Sequence, residues 1–133
     1  MAIEIEIVLR LLLATALGTI IGYQRERANR PAGLRTHILV CVGAALFTVV
    51  SVYGFGSLAD PGRVAAGIVT GIGFLGAGAI IQREGGLVAG LTTAATIWIV
   101  AAIGMAAGAG LYIAASVVAA IAMIVLFLPH PIR

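Results

Sequence analysis

Apolar and polar residues are laid out along this chain in blocks and do not alternate one by one. Apolar runs cover about residues 5–23, 36–53, 64–81, 88–104 and 108–128, each near the roughly 20 residues a helix needs to cross the hydrocarbon core. The breaks between them are "QRERANRPAGLR", "GFGSLADPGR", "QREGG" and "GMAAGAG", and the last run stops at Pro129 and Pro131. The pattern predicts an all-α polytopic transmembrane bundle of about five spans, with residues 1–133 as one domain. Because the fourth break carries no charge, a four-span reading stays open, with the last two runs joined as one bent segment.

Composition agrees with the bilayer. The chain is 62% hydrophobic and 10% charged, where soluble domains are about a quarter charged; its mean hydropathy is +1.17. So few charges cannot cover a water-soluble fold, whereas a bilayer solvates apolar side chains directly. The first apolar run follows Glu4 and Glu6, not a basic segment, so no cleavable signal peptide is expected. Cys41 is the single cysteine and is expected to pack in its apolar run.

The net charge of +3 reads as topology and not as a nucleic-acid signal. Arg25, Arg27, Arg30 and Arg35 fall in the first loop, Arg83 in the third and Arg133 in the tail, while the other side has Arg63 with Glu4, Glu6 and Asp60. Five spans with this bias place the N-terminus outside and the C-terminus in the cytoplasm.

"GIGFLGAGAII", residues 71–81, has the Gly-x-Gly-x-x-Gly spacing of dinucleotide-binding folds. Those folds need a strand before the first glycine, and here the glycines lie within an apolar span, so a nucleotide phosphate would sit in mid-bilayer. At about 100° per residue, Gly67, Gly71 and Gly78 share one face while Gly73 and Gly76 lie opposite. Small residues on both faces predict a central helix packed between two neighbours. The same glycines leave open an unwound span, the kind of break that forms ion sites in transporters. Ala14, Gly18 and Gly22 in span one, and Ala115, Ala119 and Ala122 in span five, also suit close packing.

Arg10 is the charge clearly inside a span. It is expected to face other helices, either as an anchor paired with Glu6 or Asp60 or in a functional role. Thr70, Thr92, Thr93 and Thr96 read as helix-packing hydroxyls, with a polar pathway as the other reading, and mid-span Trp98 reads as packing. The densest chemistry is "YQRERANRPAGLRTH", which gathers Arg25, Glu26, Arg30, Pro31, Gly33, Arg35, Thr36 and His37 at one membrane surface. Topology and anionic lipid would explain a basic loop. Arginine's planar fork adds bidentate pairing with a carboxylate or phosphate, and Glu26 or Glu84 is expected to pair with one of these arginines. Motif, partner and anion contacts are assigned to this loop.

The runs "RPAGLRTHILVCVGAALFTVVS", "DPGRVAAGIVTGIGFLGAGAII" and "GLTTAATIWIVAAIGMAAGAGLY" resemble the membrane domain of the MgtC/SapB family from about Leu9 to Leu128. The resemblance implies a bacterial inner-membrane protein linked to growth under magnesium limitation and, in pathogens, to survival in macrophages. It also implies action on membrane partners such as the F-type ATP synthase, although the family often carries the label of magnesium transporter. The matching positions are Arg30, Pro31, Gly33, Arg35, Thr36, Asp60, Gly71, Gly73, Gly76, Gly78, Gly90, Thr92, Thr93 and Trp98. The chain departs from the family where Gly67 stands in place of an expected glutamine. It also lacks the ACT-like C-terminal domain of well-known members, so it reads as a short member or as a piece of one.

Magnesium sites usually include carboxylates, and Glu4, Glu6, Glu26, Asp60 and Glu84 are all predicted outside the hydrocarbon core. Partner binding is therefore the leading expectation and cation transport the alternative. No enzyme, metal site or cofactor is expected, magnesium entering as a transported or sensed ion; a homodimer is a further expected partner.

Overall fold

The first apolar block continues past its predicted end. In the computed structural model, which describes residues 2–57, 60–82 and 88–129, helix α1 spans Ala2–Arg27. Its 26 residues reach about 39 Å, which carries the helix beyond Tyr23 into the predicted first loop. Helix α2 spans Leu34–Tyr53 and α3 spans Pro61–Ala79. Asp60 starts α3 by accepting from the Gly62 backbone N–H at 2.9 Å, with Pro61 at the first helical position.

Ile81 and Gln82, at the predicted boundary of span three, pair with Val88 and Ala89, at the predicted start of span four, as two short antiparallel strands, β1 (Ile81–Gln82) and β2 (Val88–Ala89). Helix α4 (Leu91–Gly108) follows, then α5 (Tyr112–Leu126). Gly90 makes the entry to α4 at φ +91, where any Cβ would run into the Ala79 carbonyl. Helices α1 to α4 are long and apolar enough to cross a membrane. Helix α5, with 15 residues, reaches about 22 Å.

The interior mixes many alanines with isoleucine, leucine and valine, while large apolar side chains also cover the exterior. Ala14, Ala44, Ala45, Ala101, Ala107, Ala115 and Ala119 are buried, while Phe74 and Ile113 are each 80% exposed. Water would penalise such a surface; lipid does not, and close backbone approach then supplies the packing. This is the architecture of a membrane protein.

Two glycine pairs at four-residue spacing make that approach. A Cβ at Gly18 would lie 2.9 Å from Cys41 Cβ, and one at Gly22 3.0 Å from Leu34 Cα, so α1 and α2 touch backbone to backbone. On α4, Gly104 faces the Cys41 carbonyl and Gly108 faces Ala45 and Thr48. The break predicted at "GMAAGAG" is confined to its end: the helix runs through Gly104 to Gly108 and turns at Gly110, φ +87. That turn separates α4 from α5, so the last two runs are not one bent segment.

Helix α4 is the central one, touching α1, α2, α3 and α5. The expectation that span three is central fails: on α3 Ile68 and Gly76 are buried, while Gly67, Gly71, Gly73 and Gly78 meet nothing within 4 Å of an added Cβ. Glycine marks a helix that permits close approach and does not say from where the neighbour comes. Helix α3 is also continuous from Pro61 to Ala79, so the unwound reading is not seen.

Arg10 faces other helices, as expected. Its Nε donates to Glu6 Oε2 at 3.1 Å, its Nη1 donates to the Gly108 carbonyl at 3.0 Å, and its guanidinium lies 5.3 Å from the Tyr53 ring centre. Tyr112 also donates to Glu6 Oε2. The guanidinium caps the carbonyl end of α4, where a cation suits the helix dipole.

Candidate binding site

At the other end of α1 the small-residue stripe ends in a charge. Arg25 follows Ala14 by eleven positions, which at about 100° per residue returns to the same face, and that face is packed against α2 and α4. Arg25 is 3% exposed. Its Nη2 donates to Thr93 Oγ1 of α4 at 3.3 Å, while its Nε has no partner. Gln24 Oε1, next along the chain, is likewise buried without a partner. Among the described residues no carboxylate pairs with Arg25.

His37 on α2 is fully buried and completes the cluster. Its Nδ1 lies 2.8 Å from the Gly33 carbonyl and its Nε2 lies 2.9 Å from Thr96 Oγ1. A carbonyl only accepts, so Nδ1 carries a proton; in the neutral ring Nε2 then accepts from Thr96. Thr96 Oγ1 also donates 2.8 Å to the Thr93 carbonyl, so one hydroxyl proton serves two acceptors. Arg25, His37, Thr93 and Thr96 thus lock α1, α2 and α4 together through polar contacts in an otherwise apolar interior, where such contacts fix one arrangement of helices.

Beside this cluster the α1–α2 connection forms an open polar cavity of about 310 Å³, lined by Glu26, Asn29, Arg30, Pro31, Gly33, Leu34, Arg35 and Thr36. Glu26 Oε1 accepts from the Leu34 N–H at 3.0 Å and so caps α2 from the preceding helix. A Cβ at Gly33 would collide with that carboxylate, and Asn29 turns the chain at φ 58. The expected ion pair between Glu26 and a loop arginine is absent among the described residues: Glu26 serves the helix end instead. Glu84 lies outside the described residues, as do Arg83 and Arg133.

The remaining sequence-predicted positions divide by burial. Thr93 and Thr96 are interior, Thr92 is exposed, and exposed Thr70 donates to the Ala66 carbonyl of its own helix at 3.1 Å. Trp98 is 50% exposed and faces outward instead of packing inside. Among the described residues, no group of three or more His, Cys, Asp or Glu side chains is placed to hold a metal ion. The contact that sequence reasoning missed is Arg25 with Thr93. The stripe Ala14, Gly18, Gly22, Arg25 signalled it, but counting positive charges had assigned Arg25 to a loop.

Between α2 and α3 lies a second, apolar groove of about 640 Å³, lined by Leu39, Gly43 and Phe47 on one side and Gly67, Gly71 and Leu75 on the other. Gly43, like Gly67 and Gly71, has open space where its Cβ would be.

A replacement of Arg25 separates the cost of its charge from its use. Arg25→Met keeps the volume and removes a buried, incompletely bonded cation. Removing a charge that no carboxylate compensates relieves its desolvation penalty, so thermal unfolding of the detergent-solubilised protein should show an equal or higher midpoint. A midpoint lower by many degrees would mean that the Thr93 contact outweighs the desolvation of the guanidinium.

Fold and site together define a small polytopic helical membrane protein with a buried polar cluster around Arg25 at one end. The model of the MgtC family matches residues 11–133, and the chain belongs to that family. It is 49% identical over 114 residues to "Putative magnesium transporter YhiD" of Escherichia coli K12, covering 80% of this chain and 53% of that protein. It is 42% identical over 117 residues to Protein SapB of Bacillus subtilis, covering 83% and 50%. With Protein MgtC of Brucella abortus it shares 57% over 98 residues, covering 74% and 40%. The chain thus spans about half the length of the curated relatives it matches. No solved structure matches it.

Proposed function

We propose that this chain works in the bacterial inner membrane, in magnesium homeostasis and growth at low magnesium, by binding or regulating other membrane proteins through the outer face of α3. The observation that carries this reading is the open glycine surface on α3. Glycine inside a helix costs about 1 kcal/mol relative to alanine, and Gly67, Gly71 and Gly78, which share one face, have no described atom within 4 Å of an added Cβ through which to recover it. A neighbouring helix drawn to that surface would recover it through close approach. Among the partners implied by the family resemblance, the F-type ATP synthase is the first to test. A second copy of the chain is the other proposed partner, and no catalytic role is proposed.

The four described carboxylates, Glu4, Glu6, Glu26 and Asp60, sit at helix ends, and the charge buried at the three-helix junction is the cation Arg25. A positive group there raises the energy of a passing cation. The second reading, magnesium transport, is favoured by the printed name of the Escherichia coli relative.

Photo-crosslinking tests the first reading. A crosslinking residue at Phe74, in membranes of cells grown at low magnesium, is expected to trap a discrete membrane protein, and one at Ile113 on α5 is expected not to. Equal, diffuse labelling from both positions would show that α3 faces only lipid.

A further inference from the structure

The polar cavity of the α1–α2 connection has a charge balance that the bundle does not use. Arg30 and Arg35 on its wall are exposed, and their guanidinium groups make no hydrogen bond or ion pair among the described residues. The first N–H groups of α2 open beside them. Glu26 takes that of Leu34, and no side chain caps the helix from Gly33, which leaves the Arg35 and Thr36 N–H groups without the intrahelical partners they lack by geometry. Arg25, buried and within electrostatic reach of Arg30, contributes a third positive charge. Against these three stands the carboxylate of Glu26, which already lies on a backbone N–H.

We propose that this cavity binds a phosphate-class anion, held by the guanidinium forks of Arg30 and Arg35 and by the N–H groups at the start of α2. The chemistry is selective in three ways. Two planar forks match the spaced oxygens of a phosphate better than a point charge does. The free N–H groups and the positive end of the α2 dipole face the same cavity. The cavity, about 310 Å³, admits a phosphate with its first substituent. Glu26 lines the same cavity and repels the anion, but its single carboxylate stands against the two guanidinium groups of Arg30 and Arg35, leaving a net positive wall. The cavity lies where a span meets the polar boundary of the bilayer, so the phosphate can come from an anionic lipid headgroup or from solution. This site concerns the α1–α2 connection and is independent of the α3 surface.

The test uses the full chain in nanodiscs. In phosphatidylcholine discs, inorganic phosphate is titrated and the unfolding midpoint followed. In parallel, native mass spectrometry counts the lipids retained from discs containing phosphatidic acid. A midpoint that rises with phosphate identifies a soluble anion, and retained phosphatidic acid without that rise identifies a headgroup; either supports the site. Arg30→Gln and Arg35→Gln are expected to weaken the effect at least tenfold, and Arg35→Lys to recover only part of it. Arg27→Gln, whose native guanidinium donates to Tyr23 Oη at 3.0 Å outside the cavity, should leave it unchanged. Equal loss in Arg27→Gln, full recovery in Arg35→Lys, or no binding of either probe to folded protein would overturn the proposal.

Discussion

Gly71→Leu is expected to leave the bundle folded while reducing growth rescue at low magnesium at least tenfold. The position is exposed, and an added Cβ meets no described atom within 4 Å, so the branch point of the new side chain is accommodated. Leucine is the better helix former by about 0.8 kcal/mol, which favours an unchanged or slightly raised unfolding midpoint. The new side chain would, however, fill part of the groove between α2 and α3 and hold a second helix several ångströms away, beyond the range in which dispersion contacts count. Growth of a deletion strain carrying the variant, with its membrane abundance measured alongside, checks both halves. Full rescue at normal abundance would remove the glycine surface from the functional account.

The same exchange at Gly104 is expected to destroy the fold. There the Cys41 carbonyl and Ala44 Cβ already occupy the space that a Cβ needs, and both belong to helix α2, which cannot move away without losing its contact with α1. Overpacking of a dense interior costs about 1–3 kcal/mol where neighbours can adjust. Here the obstacle is backbone, so Gly104→Leu should exceed that range and yield little monodisperse protein by size-exclusion chromatography. Gly104→Ala is the milder step and should fall between the two. Recovery of Gly104→Leu at wild-type yield and midpoint would mean that α2 and α4 are less closely packed than described.

These two glycines also show where the sequence is informative. The existence of the spans was legible, because a run of about 20 apolar residues has few alternatives in a chain this poor in charge. Which small residues face the interior was not legible. Gly67 and Gly71 on α3 and Gly104 and Gly108 on α4 have the same four-residue spacing, yet an added Cβ meets nothing within 4 Å at the first pair and meets α2 at the second. Spacing reports that close approach is allowed, and the choice of neighbour rests on the shapes of all five helices together.

The candidate site was legible in its members and not in its joints. His37, Thr93, Thr96, Arg25 and the loop arginines all stood out by residue type. The pairing of Arg25 with Thr93 spans 68 positions and that of His37 with Thr96 spans 59; nothing local announces either. Glu26 was misread because charge suggests an arginine as its partner, whereas the unsatisfied N–H at the start of α2 was closer. The short β1–β2 pairing was hidden at the edges of apolar runs that read as continuous spans.

The central claim is that the chain acts through contact and not by conducting a cation. Its most direct test is Mg²⁺ uptake by sealed liposomes containing the purified, folded protein and an entrapped indicator dye. The account predicts uptake no faster than in protein-free liposomes, with no change in Thr93→Val. Saturable uptake that disappears in Thr93→Val would contradict it and make the polar cluster at the junction of α1, α2 and α4 part of a pathway.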